Sequence, residues 1–95
     1  MQLEWDENKR RSNLLKHGLD FAKATEILAS RYRMDRQLVR GEELRTQSFS
    51  YVMGYLAVLT VVHLERGHAV RIVSFRFASE DESKDYYDWL QQEGG

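Results

Sequence analysis

Apolar residues are spaced for helices at both ends of the chain and for strands in between. Asp6 stands where a helix cap would, ahead of Glu7-Asn8-Lys9, and Gly18 supplies the stop. The apolar side of this first helix is thin, with Leu14 and Leu15 set against Lys9, Arg10, Arg11 and Lys16. Asp20 caps a second predicted helix, in which Phe21, Ala24, Ile27 and Leu28 make one buried stripe. The two read as a helical hairpin turning at His17-Gly18-Leu19. Arg31 to Met34 reads as a short edge strand, and from Arg45 to Phe77 β-branched and aromatic residues predict longer ones. Met53-Gly54 and Glu65-Arg66-Gly67-His68 are the turns of consecutive antiparallel hairpins. Leu56 to Val62 is apolar on both faces, as a central strand covered on both sides would be. Ser79, with Glu82 three residues on, forms a capping box for a last helix that carries Tyr86, Trp89 and Leu90 together. The expected fold is α+β: two helices, an antiparallel meander of three to four strands, then one helix.

Composition narrows the class. The 95 residues make one domain, 1–95, with Gly94-Gly95 expected to fray, and the 42% apolar fraction is that of a folded protein. Without cysteine there are no disulfides, thiolate metal sites or Cys nucleophile. No stretch reaches the roughly 18 apolar residues of a membrane helix, and the start, Met1-Gln2-Leu3-Glu4-Trp5-Asp6, lacks the order of a secretory signal, so a cytoplasmic protein is expected. The net charge of −1 is unevenly spread. Residues 1–78 carry thirteen Lys/Arg against nine Asp/Glu, whereas residues 79–95 carry only Lys84 against six acids. A basic body allows a polyanionic ligand, and the acidic end alone reads as a solvated helix.

Candidate chemistry centres on arginine. Strict alternation along the last strand places Ser74 and Arg76 on one face and Arg71, Val73 and Phe75 on the other. Each arginine needs either a carboxylate partner or an anionic ligand, because an unpaired buried guanidinium is costly. Glu43 and Arg45 lie two apart on a strand, hence on one face, fit for an ion pair or an acid–base pair. His17, at a helix C-terminus, suits a capping role or a proton transfer to a ligand, and Lys16 a phosphate contact or a solvated charge. No HxxxH or HExxH spacing, GxSxG or glycine-rich phosphate loop occurs, so no metal or cofactor is expected. Direct DNA binding by this chain has no helix-turn-helix pattern behind it.

Several of these residues fall into a known order. Trp5-Asp6-x-x-Lys9 and Asn13-x-x-Lys16-His17-Gly18-Leu19-x-Phe21-x-x-Ala24 resemble the opening signature of the BrnT toxin family. Glu43-x-Arg45 is similar to its Glu-x-Arg, Arg71-Ile72-Val73-Ser74-Phe75-Arg76-Phe77-Ala78 to its Arg-rich strand, and Glu82-x-x-x-Tyr86 to its closing motif. The resemblance implies a type II toxin–antitoxin toxin of RelE-like fold, with helices packed on one side of a small antiparallel sheet. It implies RNA cleavage that arrests translation and neutralisation by a BrnA-like antitoxin, through which alone the complex reaches operator DNA. Phe77 and Glu80-Asp81-Glu82-Ser83 depart from the family, which is usually basic there, and Ser50 stands where a glycine is common.

Metal-free RNA cleavage uses the substrate's 2′-hydroxyl and needs a base, an acid and cations at the phosphate. That chemistry suits Arg76 at the phosphate with Arg45 or Arg71 assisting, Glu43 as base and His17, at a helix C-terminus, as acid. Tyr86 is a proton donor, a stacking platform or a core residue beside Trp89, and Lys16 a phosphate contact. Trp5 is read as a hydrophobic staple. The alternative is a homologue that has lost cleavage and acts as an antitoxin-binding module.

Overall fold

In a computed structural model, which describes residues 1–94, the middle of the chain forms one sheet flanked by helices. Its strands are β1 (Gln2–Trp5), β2 (Met34–Arg40), β3 (Glu43–Val52), β4 (Ala57–Arg66) and β5 (Ala69–Phe77). The helices are α1 (Glu7–His17), α2 (Thr25–Leu28) and α3 (Glu80–Gly94), with 3-10 turns at Phe21–Ala24 and Met53–Tyr55. Of the expected frayed tail, Gly94 is the last residue of α3 and Gly95 lies outside the described residues.

The sheet order is β1-β5-β4-β3-β2. β2 to β5 form the antiparallel meander the sequence predicts, but β1 adds a fifth strand, parallel to β5, so the sheet is mixed. The edge strand β2 begins at Met34 rather than Arg31 and runs to Arg40. The second predicted helix is a 3-10 turn continuing into a single α-turn. Its cap is as predicted, Asp20 accepting from Ala22 N–H, but the chain must reach β2 within a few residues.

Local signals fix the helix ends. The Asp6 carboxylate accepts from the Asn8 and Lys9 N–H groups, and Gly18 closes α1 in the left-handed region at φ 71°. At α3 the capping box is complete: Ser79 N–H donates to Glu82 at 2.8 Å and Glu82 N–H to Ser79 Oγ at 3.1 Å.

Helices cover both faces of the sheet, not one. On the first face Leu59, Val61, Ile72 and Phe75 pack against Leu19, Phe21, Ala24, Ile27 and Leu28. Leu3 and Trp5 of β1 join this core, and Trp5 meets Phe21 edge-on, so Trp5 is the end of a strand. On the second face Met34, Phe49 and Val58 pack against Tyr86, with Trp89 and Leu90 beside it. α3 thus covers only the end of this face near Phe49, and the end near Arg45 is open.

Asn13 docks α1 onto the sheet. β1 pairs with β5 only as far as Ile72, which leaves the backbone of Phe75 without a strand neighbour on that side. The buried Asn13 amide takes the strand's place, Nδ2 donating to Phe75 O at 2.7 Å and Oδ1 accepting from Phe75 N–H at 3.2 Å. Nδ2 also donates to Leu19 O at 3.1 Å, tying down the turn after α1.

Candidate nucleic-acid interface

A β-bulge decides which side chains share the open face. Val62 pairs with Ser74 but His63 with Ile72, so Val73 is an extra residue in β5. One extra residue reverses the alternation. Arg71 therefore lies on the same face as Ser74 and Arg76, not opposite them as strict alternation predicts. Glu4, which registers with Arg71, makes an ion pair with it at 3.7 Å.

Cross-strand register then orders the face in rows. Arg71 and Leu64 continue the row of Arg45 and Leu38; Ser74 and Val62 that of Gln47 and Arg36; Arg76 and Thr60 that of Phe49 and Met34. Rows lie about 7 Å apart, and alternate strands about 10 Å apart. Arg45 sits beside Glu43, Nε to Oε1 2.6 Å, as an ion pair on one face. Arg76 stands two rows away, held by Glu82 in a fork of 2.8 and 3.0 Å, with Gln47 donating to the same carboxylate at 3.3 Å.

The expected site residues thus form two groups rather than one. Glu43, Arg45 and Arg71 occupy one end of the open face and Arg76 with Glu82 the other. At the Arg45 end lies a cavity, or trough, of about 360 Å³ lined by Leu38, Arg40, Arg45, Val62, Val73 and Ser74. Glu43 and Arg76 are three rows apart, about 20 Å along the strands. Lys16 and His17 lie off this face, in a separate cleft between α1 and β5. Tyr86 is 1% exposed, and its hydroxyl donates to Tyr32 O at 2.6 Å, so the structure places it in the core under α3.

Electrostatics separates the two acids that face arginine. Hydrogen bonds from Arg76, joined by those from Ser79 N–H and Gln47, pull Glu82 down to about 2, and the fork in turn raises Arg76. So acidic a carboxylate is a poor general base near neutral pH. Glu82 is the counter-ion of Arg76. Sequence reading found its capping box and missed this second contact, for which the only signal is six-residue spacing across the β5–α3 turn.

A second polar cluster lies on the first face, that of Val61 and Ile72. Arg33 forks Asp35 at 2.8 and 3.0 Å, Ser48 Oγ donates to Asp35 at 2.6 Å, and His63 Nε2 lies 2.8 Å from Ser48 Oγ. With the hydroxyl proton directed to Asp35, Nε2 is the donor to Ser48. Burial, helped by the positive charge of Arg33, depresses the His63 pKa below 6.5. Well above pH 6.5 His63 is neutral folded or unfolded and contributes no pH dependence. Below it the unfolded chain takes the proton first, so stability falls as pH drops from 6.5 towards the folded pKa. The melting temperature is expected to decline between pH 7 and 5.5, and this slope to flatten in His63→Gln; equal slopes would remove His63 as the cause.

The structure is a small α+β domain with arginines along a partly open sheet face. The family model described as "Ribonuclease toxin, BrnT, of type II toxin-antitoxin system" matches residues 5–82, and the chain belongs to this family. It is thus a ribonuclease toxin of a type II toxin–antitoxin system, which implies an antitoxin partner. No curated protein matches the chain. Among the described residues no helix is long and apolar enough to cross a membrane.

Proposed function

We propose that this chain cleaves RNA without a metal ion in the cytoplasm, arrests translation, and is held inactive by a BrnA-like antitoxin. The observation that carries the reading is the open trough, which Arg40 and Arg45 line over a floor of Val62 and Ser74, with Arg76 one row beyond that floor. A phosphodiester over that floor lies one row from Arg45 and one row from Arg76, within reach of both guanidinium arms. Each arginine exchanges its carboxylate for phosphate, and the pair neutralises charge that grows in the transition state.

The substrate's 2′-hydroxyl attacks the adjacent phosphorus while the bond to the 5′-oxygen breaks, giving a 2′,3′-cyclic phosphate and a 5′-hydroxyl. Glu43, expected as the base, stands two rows, about 14 Å, from this floor, so it orients Arg45, with which it pairs, and a water takes the 2′-hydroxyl proton. His17, in the cleft beyond β5, gives a proton to the leaving 5′-oxygen. Arg71 and Lys16 hold neighbouring phosphates. Tyr86 is left out of the chemistry, because burial and the bond to Tyr32 keep its hydroxyl from the trough.

One observation favours a second reading. Arg45, Arg71 and Arg76 each already face a carboxylate, from Glu43, Glu4 and Glu82. A face neutralised in this way suits a homologue that binds its antitoxin in operon autoregulation without cleaving RNA. Induced expression of the chain alone separates the two. Growth arrest with fragmented total RNA is expected; normal growth with folded protein and intact RNA would establish the binding module.

A further inference from the structure

We propose a second phosphate subsite on α1, formed by Lys9 and Ser12 beside Lys16 and His17, that holds single-stranded RNA beyond the cleaved bond. It rests on the RNA-cleaving reading above. Lys9, Ser12 and Lys16 recur at helical spacing on one side of α1 and, with His17, line a cleft of about 230 Å³ against Val73 and Ser74 of β5. No acidic residue lines the cleft, and neither lysine enters an ion pair of the described residues. On the open sheet face Arg45, Arg71 and Arg76 are each paired with a carboxylate, whereas Arg40 enters no ion pair of the described residues. The cleft adds two further lysines that no carboxylate neutralises.

Its position gives it a path. Val73 and Ser74 line both this cleft and the trough, so the two adjoin across β5. The crossing is open because β1 ends at Trp5 and pairs no further along β5 than Ile72. Asn13 holds the cleft wall rigidly against Phe75. A strand of RNA with its reacting phosphate in the trough leaves over Ser74 and lays its next phosphates against Ser12, Lys9 and Lys16. The ligand is the sugar-phosphate backbone of an unpaired strand, bound through charge and hydroxyl contacts with no reading of bases.

Length dependence tests this directly. Two 2′-O-methyl oligonucleotides, of three and ten nucleotides, bind without being cleaved because their nucleophile is blocked. Their affinities for the wild type, Lys9→Gln and Ser12→Ala are read by fluorescence anisotropy over a salt series. Gln keeps the backbone N–H that Asp6 caps, and thermal melts confirm folding of each variant. The wild type is expected to bind the ten-mer more tightly than the three-mer. Lys9→Gln is expected to weaken the ten-mer roughly threefold and lower its salt slope by about 0.7, the effect of one lost phosphate contact, while sparing the three-mer. Unchanged ten-mer binding in Lys9→Gln, or equal losses for both lengths, would overturn the subsite. If total RNA is cleaved but the ten-mer binds no better than the three-mer, the subsite alone fails. If the wild type neither binds nor cleaves, the RNA reading fails with it.

Discussion

Arg76→Ala is expected to lower RNA cleavage at least about a hundredfold while leaving the fold intact, since charge stabilisation at a reacting phosphate is commonly the largest catalytic term. The fold survives because the guanidinium is at a surface, its side chain 35% exposed. Glu82 keeps its capping bonds with Ser79 and its contact with Gln47. Losing the fork costs on the order of 1 kcal/mol, discounted for solvent screening. Arg76→Lys restores the charge but not the two-pronged geometry, so it is expected to recover stability and only part of the activity. Cleavage of labelled RNA beside a thermal melt checks both. A folded Arg76→Ala protein with wild-type activity would remove Arg76 from the site; parallel loss of melting temperature and activity would make its role structural.

Asn13→Ala is expected to be the most damaging single substitution for stability. It removes three hydrogen bonds at once and leaves the Phe75 N–H and the Phe75 and Leu19 carbonyls without their partner. Unpaired buried polar groups cost roughly 1–3 kcal/mol each. A total near 3 kcal/mol is a large share of the 5–15 kcal/mol typical of a whole domain. Asn13→Asp keeps the acceptor for Phe75 N–H but loses the donor to both carbonyls, and is expected to be no better. Chemical denaturation of Asn13→Ala measures the loss. A change below about 0.5 kcal/mol, the size of an ordinary surface substitution, would show that Asn13 does not anchor α1.

Where a feature depends on neighbours in sequence, the chain announces it. Asp6, Gly18, Asp20 and the Ser79–Glu82 pair each act within a few residues, and all close their helices as expected. The β4–β5 hairpin was legible for the same reason. Features made by distant segments were not. β1 alternates Gln2 and Glu4 with Leu3 and Trp5, but four residues are too short a run to stand out; it exists because Leu3 and Trp5 reach a core built from Phe21 and Ile72. β2 is a polar edge, with Asp35, Arg36, Gln37 and Arg40 in seven residues, and takes its length from pairing with β3.

For the candidate site the decisive unseen feature is Val73. Nothing in Arg71-Ile72-Val73-Ser74-Phe75-Arg76 marks one residue as extra, and a single insertion moved Arg71 to the face of Arg76. Residue types suggested one cluster, whereas register spreads it over a trough. α3 begins with the acids Glu80, Asp81 and Glu82, and Glu82 already holds the Arg76 guanidinium.

Metal-free cleavage at the trough leaves its signature in the chemistry of the RNA ends. Wild-type protein and Arg76→Ala are incubated with RNA in excess EDTA, and the new termini are analysed. Cleavage by the wild type that leaves 2′,3′-cyclic phosphate and 5′-hydroxyl ends, lost in Arg76→Ala, is the predicted result. Cleavage abolished by EDTA, or fragments ending in a 3′-hydroxyl and a 5′-phosphate, would contradict it.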